Sequence, residues 1–302
     1  MNFDSQNITL VTLYGFFEDA QSQNPRHIQI PVAAPVQNEL KAMLQETITR
    51  LGLPASVATM AAFDPAEKYS SEEQLKIALG TPYLQELANV IALVNLPSDI
   101  NALNDIADLE YYYAIFTDNQ NRTLHAFRRA SQFKGITRSK LTWINGGVLE
   151  MMTSSVFRLD LDFDYIVLSQ DVFILRPSGF EFTANVGGQI LQAAAGNAQS
   201  ISAAITYLDM TSISTYASSH KRSARLLAAI KGRNDLHLID RALLVQACQS
   251  YGVAVANPNQ GQLAPDAGHE YDFLCILDRR AYTALLIPNQ SEKYEAASRI
   301  QK

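Results

Sequence analysis

Tyr111-Tyr112-Tyr113-Ala114-Ile115-Phe116-Thr117-Asp118-Asn119-Gln120-Asn121-Arg122-Thr123-Leu124-His125-Ala126-Phe127 is the stretch on which the fold reading turns. It opens with an aromatic and apolar run that suits a half-buried pleated surface. The cluster from Thr117 to Asn121 has turn chemistry, and Thr123 to Phe127 resumes a strand. Two such runs around a turn cluster predict a β-hairpin.

Outward from this hairpin, Ile8 to Tyr14 reads as a strand and His27 to Val32 alternates as a second one. Leu40, Met43, Leu44 and Ile48 recur at helical spacing, and Gly52 closes that helix. Ser70-Ser71-Glu72-Glu73 predicts the start of another helix, with acids in its first turn. Downstream, Tyr165-Ile166-Val167-Leu168 and Val172-Phe173-Ile174-Leu175 predict two strands joined by the short Ser169-Gln170-Asp171 turn. Beyond Pro177, most of residues 180–250 is rich in Ala and Leu with helical periodicity. A loop follows from about Asn257 to His269, and strands are predicted at Tyr271 to Leu277 and Tyr282 to Ile287. The expected class is α+β, with a mixed or antiparallel sheet in a strand-rich N-terminal half and a helix-rich C-terminal half. Two domains are expected, an acidic α/β domain over 1–118 and an α/β domain with basic patches over 119–302.

The 302 residues are 47% hydrophobic and 18% charged, a globular profile with enough chain for a sizeable core. Cys248 and Cys275 both sit in apolar runs and read as buried reduced thiols. The five histidines are scattered, so neither a zinc site nor any other cofactor is expected. The N-terminus lacks a charged and apolar leader, and no run approaches the ~20 apolar residues of a membrane span. These features predict a cytoplasmic protein.

A formal net charge of −6 argues against a generally basic, sticky protein, yet charge is unevenly spread. Residues 1–118 hold 5 Lys/Arg and 15 Asp/Glu, whereas residues 119–149 hold 6 Lys/Arg and no acid. Those six are Arg122, Arg128, Arg129, Lys134, Arg138 and Lys140, with Phe127, Phe133 and Trp143 interleaved. A second cluster comprises Lys221, Arg222, Arg225, Lys231 and Arg233, beside His220. At helical spacing its first four cations share one half of a helix, and Leu226, Leu227 and Ile230 occupy the other. Such clusters are ordinarily solvated faces. They also suit contact with a phosphate backbone, with affinity that falls steeply with salt.

Asp160-Leu161-Asp162-Phe163-Asp164 is the strongest catalytic candidate, because alternating acids can hold a divalent ion. It fails as an EF-hand loop, since Tyr165 stands where the turn needs Gly. A metal-dependent nuclease built on Asp160, Asp162 and Asp164 with Glu181 is one alternative, though no lysine follows Glu181. Gly-x-Ser-x-Gly and phosphate-loop motifs are absent from the sequence. Binding is therefore expected rather than turnover, and a protein-interaction scaffold is the other alternative.

The segment from Phe157-Arg158 through Asp160, Phe163 and Asp164 to the strands at Tyr165 and Val172, closing at Phe180-Glu181, resembles a known signature. It is similar to the bacterial family DUF4868, the KwaB-like proteins of Kiwa anti-phage defence. The close likeness covers about 25 residues (Phe157 to Glu181) and the looser layout about residues 108–290. The resemblance implies a cytoplasmic, homo-oligomeric protein that binds DNA. It also implies a small multi-span membrane partner, Kiwa A-like, at the inner membrane. On the residues alone, Phe157, Phe163 and Phe180 read as core, and Arg158 as an ion-pair partner of Asp160, Asp162 or Glu181.

Overall fold

The computed structural model describes residues 3–17, 26–71, 73–93, 96, 109–130, 142–145, 148–151, 158–257, 259–287 and 290–296. The fold is α+β, with a strand-rich front half and a helix-rich back half. Two compact units emerge: residues 1–63 with 70–185, and residues 64–69 with 186–302. The change in charge balance after residue 118 falls at the end of the strand Leu109–Asp118, inside the first unit.

The first unit holds β1 (Ile8–Phe17), β2 (Arg26–Ile30), α1 (Ala34–Arg50), β3 (Ala61–Ala62), β4 (Leu75–Ala78) and α2 (Gln85–Ile91). Next come β5 (Leu109–Asp118), β6 (Thr123–Arg129), β7 (Thr142–Asn145), β8 (Val148–Met151), β9 (Tyr165–Leu168), β10 (Asp171–Ile174) and α3 (Pro177–Thr183). Eight of these strands form one sheet in the order β2-β1-β5-β6-β9-β10-β4-β3, while β7 and β8 pair separately. All pairings in the large sheet are antiparallel except β3 with β4.

The pleat sends alternate residues to opposite faces, and both faces are put to use. Tyr112, Ala114 and Phe116 of β5 join Leu124 and Ala126 of β6 in the core beneath Leu40, Met43, Leu44 and Ile48 of α1. Opposite them runs an aromatic ladder, fixed by register. Tyr14, Tyr113, Phe127 and Tyr165 are direct cross-strand partners, stacked at 5.1, 5.1 and 4.8 Å. Phe180 of α3 meets Tyr165 edge-on at 5.1 Å, and Phe63 meets Phe180 edge-on at 5.0 Å. Stacks of this kind add to plain burial. Phe163 and Phe180 are thus core residues; Phe157 lies outside the described residues.

The second unit contains α4 (Gly187–Ala204), α5 (Thr211–Ala217), α6 (Lys221–Lys231), α7 (Arg241–Tyr251), β11 (Val255–Ala256), β12 (Ala264–Pro265), α8 (Glu270–Leu277), β13 (Ala281–Ile287) and β14 (Gln290–Glu295). Asp240 caps α7 by accepting from the Leu243 N–H, and Gly252 ends it in the left-handed region at φ 72°. Both cysteines are free and buried, and burial pushes the Cys248 thiol up to about 11.

Two sequence expectations are corrected. Ser70 to Glu73 does not open a helix: the Glu73 carboxylate folds back to the Ser70 N–H, and the chain then extends into β4 against β10. All four residues Leu75-Lys76-Ile77-Ala78 pair with β10 in antiparallel register. Tyr271 to Leu277 is helix α8, not strand. Its residues from Phe273 onward are all buried, and a run that is apolar on every side has no period to separate the two states. Glu270 and Asp272 in its first turn favour the helix.

Candidate functional site

The acidic run lies in the loop entering β9, and its three carboxylates converge on arginines. Arg128, at the end of β6, donates from Nε to Asp160 at 2.9 Å and from a terminal nitrogen to Asp164 at 2.5 Å. Arg176, just ahead of α3, forks onto both oxygens of Asp162, and Arg50, the last residue of α1, donates to the same carboxylate. The Arg158 guanidinium stands 4.0 Å from Asp160.

The loop backbone is fixed as well. The Phe163 N–H donates to the Thr47 hydroxyl at 2.9 Å. The Asp164 N–H donates to the Phe127 carbonyl at 2.8 Å, and the Asp164 carbonyl accepts from Leu175 and Arg176. Burial pushes the Asp164 carboxyl up from its ordinary range, against the pull of the Arg128 guanidinium and the Arg129 N–H. Gly179 makes room for this carboxyl: a Cβ there would stand 2.2 Å from the Asp164 carboxyl carbon.

Asp160, Asp162 and Asp164 direct their oxygens at guanidinium groups, and Glu181 stands half-buried on α3. Among the described residues, no group of three or more His, Cys, Asp or Glu is placed to hold a metal ion. Arg158 meets its expected role as a partner of Asp160.

The described members of the first basic patch are engaged within their own unit. Arg122 closes the hairpin turn by donating to Asp118 at 2.7 Å. Burial works against the Asp118 charge, but the N–H groups of Asp4, Gln120 and Arg122 and the Arg122 side chain outweigh it and hold the carboxyl well below its usual range. Arg128 serves the acidic loop, and the Arg129 guanidinium lies 3.9 Å over the Phe182 ring. Lys134, Arg138 and Lys140 lie outside the described residues.

The second patch sits on α6, whose apolar half is buried through Leu226, Leu227 and Ile230 as the periodicity required. Its cations divide by position. Arg225 donates to the Glu67 carbonyl at 2.5 Å, and Lys231 pairs with the Glu67 carboxylate at 2.6 Å. Arg233 holds Asp235 at 2.9 Å and the Leu277 carbonyl at 2.6 Å. Lys221 and Arg222 remain exposed at the N-terminal end, with Arg222 stacked 4.6 Å over Tyr271. The cationic face is therefore narrower than the helical wheel alone suggests.

A family model described as Kiwa protein KwaB-like matches residues 107–259, more than half of the chain. The chain belongs to the KwaB-like family. The matched region of this KwaB-like chain starts just before β5 and ends after β11, so it takes in the acidic loop and α6. Searches of curated proteins and of solved structures found no match. No helix among the described residues is long and apolar enough to cross a membrane.

Sequence reasoning passed over Arg50, Arg176 and Gly179. Arg50 is 112 positions from Asp162 with no spacing signal linking them, whereas Arg176 directly before Pro177 marked the edge of a helix start.

Proposed function

We propose that this KwaB-like protein is the DNA-contacting component of a Kiwa-type anti-phage defence. In this reading it acts as a homo-oligomer beside a small multi-span membrane protein, and it holds the phosphate backbone without reading bases. Family membership supports the defence role. The observation that carries the DNA contact is the exposed Lys221–Arg222 end of α6, a helix that contains no acidic residue. Guanidinium and ammonium groups placed this way neutralise phosphates and release counterions.

The test is Lys221→Glu with Arg222→Glu, measured by fluorescence anisotropy on several unrelated duplexes. Affinity should fall roughly tenfold or more on every sequence alike, with thermal melting unchanged, because exposed substitutions seldom move stability beyond about 0.5 kcal/mol. Undiminished affinity would remove α6 from the reading. Co-purification of the membrane partner should survive nuclease treatment.

A further inference from the structure

The acidic loop carries a feature that its ion pairs do not explain. Leu161 stands 84% exposed between Asp160 and Asp162. An apolar side chain so exposed gains nothing from folding, and here its backbone is pinned on both sides by paired acids. The exposure of the charges is lopsided. The side chains of Arg50, Arg158 and Arg176 are 43%, 54% and 30% exposed, whereas those of the three acids are 10% or less. The formal charges nearly balance, yet the side chains of Arg50, Arg158 and Arg176 are more exposed than the acids they face. The most acidic-looking run of the sequence thus presents cations to its surroundings, around one rigidly held leucine.

We infer that Leu161 with Arg158 forms a second contact point for duplex DNA, in which the Arg158 guanidinium meets a phosphate and Leu161 enters the minor groove. Charge complementarity calls for a polyanion. An aliphatic prong suits sugar edges or a widened base step in a duplex, whereas single strands are gripped by aromatic stacking. This site lies in the first unit, apart from α6 in the chain, and the inference rests on the DNA reading above.

Two variants leave the ion pairs at Asp162 and Asp164 intact: Leu161→Ala and Arg158→Ala. Each is compared with the parent and with the α6 double variant, on a labelled duplex and on heparin, which offers charge without a groove. Leu161→Ala should weaken duplex binding roughly tenfold and leave heparin binding and melting unchanged. Arg158→Ala should reduce the salt slope by about one. If both variants bind duplex like the parent while the α6 variant loses affinity, this site is overturned and the α6 reading stands. A parent protein that binds no duplex overturns both readings. Equal losses on duplex and heparin for Leu161→Ala overturn the groove contact, as does loss of a co-purifying protein with duplex affinity unchanged.

Discussion

The loop from Asp160 to Asp164 and helix α6 are both dense in charge, yet they spend it differently. In the loop, three largely buried acids and the arginines facing them make a nearly neutral network that ties α1, β6 and α3 to the entrance of β9. On α6, Arg225, Lys231 and Arg233 are taken by Glu67, Asp235 and a carbonyl, while Lys221 and Arg222 stay exposed. The difference teaches that charge density in a sequence says little until each charge has its partner and its exposure. A buried pair fixes geometry, whereas an exposed cation keeps a face toward solvent.

The largest effect should come from breaking the network. Arg128→Ala leaves Asp160 and Asp164 without their shared cation, and chemical denaturation should show a loss of about 3–5 kcal/mol. A comparable loss from Arg225→Ala, which donates to the Pro65 and Glu67 carbonyls, would erase the contrast.

Acid sharpens it next. Burial lowers His125, on β6 of the same sheet, to about 4 from an ordinary 6.5. The folded state therefore binds its proton less readily than the unfolded chain does. The stability this contributes is complete above pH 6.5 and is lost as pH falls from 6.5 towards 4, amounting to roughly 3 kcal/mol. Across that window the stability of the parent, measured against that of His125→Leu, should fall by roughly 3 kcal/mol as the pH drops. A constant difference would contradict a neutral, buried imidazole.

A smaller effect is expected at Gly179. The Cβ of Gly179→Ala would press on the Asp164 carboxyl, at a cost of about 1–3 kcal/mol in melting experiments. Gly232→Ala at the end of α6 serves as the control, because a Cβ there meets nothing closer than 3.6 Å.

The hairpin, both strands around Ser169, α1 and the amphipathic α6 were legible because each has a clear period or turn cluster. The run Phe273 to Leu277 was not, since burial on all sides erases the period, and Ser70 to Glu73 mimicked a helix start while folding a local turn. At the site, the acids were visible and their meaning was not. Asp162 is neutralised from 112 residues away by Arg50, and no local pattern announces such a partner. The same blindness made Arg122 and Arg128 look like free surface cations, when they close a turn and seal a buried cluster.

The slope of log affinity against log salt for duplex DNA tests the central claim most directly, measured on the parent, Lys221→Ala with Arg222→Ala, and Arg122→Ala. The account predicts a slope shallower by about two for the α6 double variant and unchanged for Arg122→Ala, whose guanidinium is committed to Asp118. A double variant that keeps the parent slope, or an Arg122→Ala that flattens it as much, would contradict the division of labour between the exposed end of α6 and the cation that closes the hairpin turn.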